Sequence, residues 1–323
     1  MPPDAPRAFR LGCTAVAVSS VLFSAKAVFI KLCYRFGVEP TVLMALRMLF
    51  SLPFFIVMAW GPWAGSKEKV VALERRDLQG IAGLGILGYW LASYFDLTGL
   101  QYVSAAMERM ILYVYPTLVV LFSAWIFRRP VGRSLILPLV LSYAGIVASF
   151  GGEAMSVQGS GLHLGVFLIF LSAVSYALFL ILQGRMVGRI GPRRLTAYSM
   201  LFSTVCILVQ FALTHPLHSL RQPRPVLLLS LLLAVLCTVI PAFLLGYGVR
   251  KVGAGRAAVI SSVGPVSTFL LAAWLLGETA GPLQALGLVL VILGGLMLAL
   301  RKDAAPSVSG VAAGGVMPKG RIA

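Results

Sequence analysis

The chain has 323 residues, of which 59% are hydrophobic and 11% are charged, with a formal net charge of +17. Soluble domains carry about 45–50% apolar and about 25% charged residues, so this composition excludes an ordinary soluble globule. The apolar residues run in blocks of about 20, each long enough to cross a hydrocarbon core of about 30 Å as a helix. The sequence therefore predicts an all-α integral membrane protein.

Proline, glycine and charged residues divide the chain into ten predicted transmembrane helices. They cover, in chain order, residues 11–32, 41–60, 79–98, 103–127, 134–150, 162–183, 195–214, 226–247, 254–276 and 282–300. The first follows Arg7 and Arg10 and so imitates a cleavable signal peptide, but nine further spans favour a retained helix. Residues 303–323 are small and aperiodic, which predicts a disordered cytoplasmic tail.

The basic residues fall mainly on one side of the predicted membrane. With a cytoplasmic N-terminus, twenty of the 27 Lys and Arg residues lie on the cytoplasmic side, four lie on the opposite side and three lie inside spans. Such a bias sets membrane orientation, and it predicts a multi-pass protein of the inner (plasma) membrane with both termini cytoplasmic. Because these bases sit in short loops beside lipid headgroups, they form no groove for nucleic acid.

The two halves of the chain repeat one another. Two groups of residues recur in register: MLFS at 48–51 recurs at 200–203, and Pro116 with Ala124-Trp125 recurs as Pro265 with Ala273-Trp274. Each half, 1–150 and 151–302, contains five predicted spans. Because five is odd, the second half enters the bilayer from the opposite side, so the sequence predicts two inverted five-helix repeats, a geometry that transporters use for alternating access.

Several of these motifs together resemble a known family. They are Ala45-Leu-Arg47-Met-Leu-Phe in the second span, Pro265, Ala273-Trp-Leu-Leu-Gly-Glu278, Gly287 and Gly294-Gly295. The chain is similar to ten-helix EamA-type exporters of the drug/metabolite transporter (DMT) superfamily. The resemblance implies a transporter that exports small organic metabolites. Where such families show Gly-Glu after the fourth helix, this chain has Arg128-Arg129, so the second repeat alone keeps the acid.

Five charged residues fall inside predicted spans: Lys26, Arg47, Asp96, Glu108 and Arg109. All five lie in one layer of the outer half, and such residues usually face a cavity and mark a transport pathway. Three bases against two acids predict a site for a carboxylate, which an arginine binds well, while the amino group of a zwitterion contacts Glu108 or Asp96. The alternative is that Arg47 and Glu108, or Lys26 and Asp96, only pair with each other and hold the helices in register.

Aromatic residues and prolines follow in the same spans. Tyr113 and Tyr115 are candidates to stack on a solute, or else they pack helices together. Pro116 and Pro265 each remove a backbone donor and predict a kink, which is either a hinge or a static bend. Ser261 and Ser262 flank the second proline and are candidates to line the pathway or to bind the freed carbonyl groups.

The remaining sequence features limit the classes of function and the partners that we expect for the protein. The sequence contains no phosphate loop, nucleophile elbow or metal motif, and we expect no catalytic residues, metal or cofactor. The expected partners are a small-molecule solute such as an amino acid or its analogue, the lipid bilayer, a proton carried by Glu108, and a second copy, which the small residues permit. The alternatives are a facilitated-diffusion carrier, a non-transporting membrane sensor and, less well supported, a membrane-embedded lipid enzyme.

Overall fold

A computed structural model describes residues 5–60, 73–126, 128, 135–156, 161–278 and 281–300. The predicted tail at 303–323 lies outside this part of the chain. The regular elements within it are all helices, as predicted. They are, in chain order, α1 (Ala5–Tyr34), α2 (Pro40–Trp60), α3 (Arg75–Leu84), a π-helical segment (Gly85–Leu91), α4 (Ala92–Gly99), α5 (Ala105–Leu112), α6 (Tyr115–Ile126), α7 (Ile136–Ser156), α8 (Leu162–Ile190), α9 (Pro192–Thr214), a 3-10 turn (Leu217–Leu220), α10 (Arg224–Ala234), a second π-helical segment (Val235–Val239), α11 (Ile240–Val252), α12 (Ala254–Ser261), α13 (Val263–Leu271), a third π-helical segment (Ala272–Leu276) and α14 (Pro282–Ala299).

Eight helices in the described ranges are long and apolar enough to cross a membrane. The predicted third span is not among them, and it consists of α3, the first π-helical segment and α4 in succession. The predicted last span is represented by a shorter apolar stretch, Pro282–Met297. In the part of the chain that the structure describes, helical residues lie in each of the ten predicted stretches. Eight of the helices meet the length and hydropathy of a full membrane span.

The most extensive packing joins the first half of the chain to the second. Helix α1 packs along α11, α2 along α9, and α7 along α14, while α8 packs against α4 and the first π-helical segment. Small residues allow the closest of these approaches, because a Cβ atom on Gly145 of α7 would lie 2.6 Å from the Gly287 carbonyl oxygen of α14. Close backbone approach of this kind is typical of helix pairs in membranes.

Both predicted proline kinks coincide with breaks in the helices. Helix α5 ends at Leu112, four residues before Pro116, and α12 ends at Ser261, four residues before Pro265. A proline ring clashes with the carbonyl group of the residue four positions earlier, which explains both positions. The Ser262 hydroxyl donates a hydrogen bond of 2.7 Å to the Val259 carbonyl oxygen at the second break.

The two ends of the helical bundle differ in their polar contacts. The Glu278 end carries the connections around residues 35–39, 100–104 and 215–223, and there Arg35 donates to the Leu276 carbonyl oxygen at 2.6 Å. At the opposite end, the Arg189 end, the Arg189 guanidinium lies 2.7 Å from Glu74 and 3.1 Å from Asp77.

Candidate functional site

Three of the predicted site residues form an ion cluster where α1, α4 and α5 meet. The Lys26 Nζ atom lies 2.6 Å from Asp96 Oδ2 and 3.9 Å from Glu108 Oε1. Asp96 is 1% exposed and Glu108 is fully buried, whereas the Lys26 side chain is 20% exposed. One ammonium group therefore lies near two buried carboxyl groups. The exposed part of the Lys26 side chain is the accessible side of the cluster.

Arg47 lies on the neighbouring helix α2 and is 4% exposed. Its Nη2 atom donates a hydrogen bond of 2.8 Å to the Ser93 hydroxyl of α4. The Nε atom has no hydrogen-bond partner among the described residues. Arg47 thus forms no ion pair with Glu108, whereas Lys26 and Asp96, the other pair of the structural alternative, do form one. Arg47 keeps one buried N–H group available.

Arg109 is held by two neighbouring helices. Its Nε atom donates to the Thr268 hydroxyl of α13 at 3.1 Å, and its Nη2 atom donates to the Phe23 carbonyl oxygen of α1 at 2.6 Å. The Thr268 hydroxyl is itself 3.2 Å from the Ser24 carbonyl oxygen. Adjacent residues on a helix point about 100° apart, so Arg109 joins α1, α5 and α13 while Glu108 faces the ion cluster.

The hydrogen bonding of this charged layer is incomplete. Within the described residues, Asp96 Oδ1 and both Glu108 carboxyl oxygens accept no hydrogen bond, and Arg47 Nε donates none. Buried polar atoms normally have partners, because leaving one unpaired costs about 1–3 kcal/mol. Three vacant acceptors against one vacant donor fit a group that brings mainly N–H donors and one acceptor, or a proton on one of the carboxyl groups.

The predicted tyrosines separate into two environments. Tyr115 packs edge-on against Tyr176 of α8 at a centroid distance of 5.2 Å, and Tyr176 stacks on Phe179 at 5.5 Å. Tyr113 instead packs with α14, where a Cβ atom on Gly295 would overlap its ring. The break between α5 and α6 separates the two tyrosines.

A second group of acids lies at the Glu278 end. Both Glu278 carboxyl oxygens lie 3.1 Å from the Ala105 backbone nitrogen, at the start of α5. Glu153 of α7 accepts from the Ser104 backbone nitrogen at 2.6 Å and from the Ser104 hydroxyl at 2.5 Å. Burial raises the pKa of Glu278 above its ordinary value. Glu278, in the second half of the chain, thus caps a helix of the first half.

Several contact residues have no motif that would have identified them. Ser93, Thr268 and Tyr176 belong to this group, and their only signal is a polar atom inside an apolar span. Tyr34 belongs to it too, since its hydroxyl donates to the Leu97 carbonyl oxygen beside Asp96 at 2.7 Å. Across the described residues, no group of three or more His, Cys, Asp or Glu side chains is placed to hold a metal ion.

Comparisons with known proteins identify a transporter family and related transporters. The EamA-like transporter family matches residues 10–151 and again residues 163–300. The uncharacterized transporter YcbK of Bacillus subtilis (strain 168) is 31% identical over 277 residues, covering 84% of this chain and 86% of that protein. An uncharacterized inner membrane transporter, YicL of Salmonella typhimurium, is 22% identical, covering 90% of this chain and 96% of that protein.

The fold also has a counterpart among solved structures. One crystal structure of a protein aligns with a TM-score of 0.61 at 20% sequence identity, covering 90% of this chain and 96% of the other. That likeness concerns the fold alone. The family match extends over most of the chain in two segments, and the motifs that carried the resemblance, including Arg47, Pro265 and Glu278, lie within them. The chain is a multi-pass membrane protein and belongs to the EamA-like transporter family, as its sequence predicted.

Proposed function

We propose that the protein is a secondary transporter that exports small organic metabolites bearing both an amino and an acidic group, such as amino acids or their analogues. The observation that carries this proposal is the fully buried Glu108 carboxyl group, 3.9 Å from Lys26, whose oxygens accept no hydrogen bond from the described residues. A charged residue in the middle of a membrane protein is costly, and such residues are retained where they serve a pathway.

Each charged residue has a proposed role. Glu108 and Asp96 bind the ammonium group of the solute through their vacant oxygens, and Arg47 binds its carboxylate through the vacant N–H. Lys26 balances the two acids while the site is empty. Arg109 keeps the helices around the site in place, because both of its hydrogen bonds go to protein groups. Tyr115 belongs to an aromatic wall beside the site, together with Tyr176.

The proposed architecture is ten spans in two inverted five-helix repeats that alternate access to this site. Three observations support it. The family matches each half separately. Helix α1 of the first half packs on α11 of the second, and α8 of the second half packs in the same way on α4 of the first. The π-helical segments at 85–91 and 235–239 also fall at corresponding places when the chain is shifted by 149 residues. We place both termini in the cytoplasm because the bases cluster on that side.

Proton coupling through Glu108 is part of the proposal. The groups that face Glu108 are Lys26 of α1 and Asp96 of α4, with Arg47 of α2 near Asp96 and Arg109 adjacent on α5. A buried carboxylate without hydrogen bonds is expensive, and protonation removes that cost. A proton and the solute's ammonium group therefore compete for the same oxygens. If flux through a Glu108→Gln variant keeps the parent's pH dependence, Glu108 is not the proton carrier.

The test of the transport function compares the extracellular metabolite profile of cells that express the parent chain, Glu108→Gln, Arg47→Gln or Arg224→Gln. Arg224→Gln is the matched control, because it removes an exposed positive charge that is not part of the ion cluster. We expect a small set of solutes outside cells with the parent and the control, reduced with the two site variants. Profiles identical to those of empty cells, at verified membrane abundance, would contradict the export function.

A further inference from the structure

A cavity of about 320 Å³ opens at the Glu278 end, separate from the charged layer. It is lined by Lys31, Tyr34, Arg35, Leu276 and Glu278. None of these residues was among the predicted site residues. The volume lies within the range of pockets that hold small organic molecules.

The charges around this cavity are unbalanced toward the positive. Glu278 directs both carboxyl oxygens to the Ala105 backbone nitrogen. Lys31 forms no ion pair with a carboxylate anywhere in the described part of the chain. Arg35 uses one Nη2 hydrogen bond for the Leu276 carbonyl oxygen, and a guanidinium group has five N–H donors. Two cationic side chains thus keep donors for an anionic guest.

The cavity also lies next to the proposed solute site. Tyr34 lines the cavity, and its hydroxyl donates to the Leu97 carbonyl oxygen, one residue beyond Asp96. Tyr34 therefore contacts both the cavity and the backbone beside Asp96, a member of the ion cluster.

We propose that this cavity is a second solute site, in which Lys31 and Arg35 bind the acidic group of the solute as it passes between the Glu278 end and the charged layer. This inference rests on the proposed transport function for its place in the pathway. The ligand class is a small organic carboxylate, and the site is occupied before or after the central site, with Tyr34 as the barrier between the two.

The first test measures the cavity without reference to transport. In a chain whose cysteines Cys13, Cys33, Cys206 and Cys237 are replaced by alanine, Leu276→Cys places one thiol on the cavity wall. Its reaction rates with the anionic sulfonatoethyl and the cationic trimethylammonium methanethiosulfonate reagents are compared. We expect the ratio of anionic to cationic rates to fall by about threefold to tenfold when Lys31→Gln and Arg35→Gln are added, because local charge concentrates counter-ions.

Two controls test whether the change in the rate ratio is caused by the charge of the cavity residues. Lys31→Arg keeps the positive charge, so we expect this variant to retain the preference for the anionic reagent. A loss of that preference in Lys31→Arg would indicate misfolding. Arg224→Gln removes an exposed cation at the same end and leaves the ratio unchanged. An unreactive thiol at position 276, or a ratio that the two glutamine substitutions leave unaltered, overturns the proposed anion site.

The second test places the cavity on the pathway. For a solute identified by metabolite profiling, Lys31→Gln with Arg35→Gln raises the apparent KM of export severalfold, while Arg224→Gln leaves it unchanged. If the thiol chemistry behaves as expected and export kinetics are unaltered, the cavity lies off the pathway and the inference fails. If the parent chain exports nothing, the proposed transport function fails, and the thiol result still reports on the cavity.

Discussion

At the scale of single residues, the two repeats differ most clearly where the sequence departs from its family. Arg128 adopts φ of 51°, the only positive value outside glycine among the described residues, and Gly277 adopts φ of 71° at the corresponding place in the second half. A Cβ atom makes this left-handed conformation unfavourable by about 1–2 kcal/mol. The backbone of the first half therefore retains a turn suited to glycine although the residue is arginine.

We predict that Arg128→Gly raises the free energy of unfolding by about 1 kcal/mol, because glycine relieves the strain at positive φ. Thermal unfolding in detergent measures the change. Arg128→Ala is the control, since alanine removes the charge but keeps the Cβ atom. Equal stabilisation by both variants would attribute the effect to the charge and contradict the backbone explanation.

Glu278 permits a prediction about pH. Burial raises its pKa above the ordinary 4.5, while the Ala105 N–H group and the Lys31 charge oppose the shift, and Glu153 adds to it. Because the folded chain holds this proton more tightly than the unfolded chain, the contribution of Glu278 to stability falls as pH rises from 4.5 through the folded-state value. The cavity residue Arg35 faces the same space.

We therefore expect Glu278→Gln to gain stability relative to the parent as pH increases from about 4 to about 8. Glutamine keeps an oxygen that accepts from Ala105, whereas Glu278→Ala loses the cap and is about 1 kcal/mol less stable than Glu278→Gln at every pH. Unfolding midpoints across this pH range provide the measurement. A constant difference between the parent and Glu278→Gln would show that the carboxyl group does not titrate within the range.

The sequence predicted the charged layer but not its partners. Lys26, Asp96 and Glu108 were assigned to one depth by counting residues, and they meet in the structure. The depth of a residue in the membrane does not show which way its side chain points around the helix axis. The sequence therefore did not decide whether Arg47 and Arg109 contact the two acids. Their contacts with Ser93 and Thr268 depend on neighbouring helices, which a hydropathy pattern does not describe.

At the scale of helices, the sequence predicted the positions of the helices more accurately than the hydrogen-bonding pattern inside them. The predicted span 254–276 coincides with α12, α13 and the third π-helical segment, and the predicted 195–214 lies within Pro192–Thr214. Hydropathy averages apolarity over many residues and is insensitive to the hydrogen-bond register, so it did not indicate the π-helical segments. The predicted 162–183 was too short, because α8 continues to Ile190 through a stretch that contains Arg185 and Arg189.

The proline breaks carry a prediction for transport. Replacing Pro116 or Pro265 by alanine restores a backbone donor and removes the ring, which favours a continuous helix by up to about 3 kcal/mol. If the breaks act as hinges, each variant is more stable and transports more slowly. Pro53 is the matched control, because it lies exposed inside the unbroken helix α2. Unchanged transport in both variants, beside greater stability, would assign the breaks to a static bend.

At the scale of the whole molecule, the two halves are interlocked. Each of the most extensive helix contacts joins one half to the other: α1 with α11, α2 with α9, α7 with α14, and α8 with α4. The five residues of the charged layer all belong to the first half, yet the layer depends on the second half, since Arg109 donates to the Thr268 hydroxyl. The sequence predicted two similar halves from its repeats, but periodicity within a chain does not reveal that each half lacks its own partner surfaces.

We therefore predict that neither half is stable alone and that the two halves assemble when produced together. Division of the chain within residues 157–160, between α7 and α8, leaves every described helix intact. Co-expressed halves should reach the membrane and export the same solutes as the undivided chain, because their contacts form between helices and do not require a covalent connection at residues 157–160. Each half expressed singly should be degraded, since its exposed small-residue faces at Gly145 or Gly287 lose their close partners. Pulse-chase measurement of each half, alone and together, tests this, and a single half that persists as long as the pair would show that the repeats fold independently.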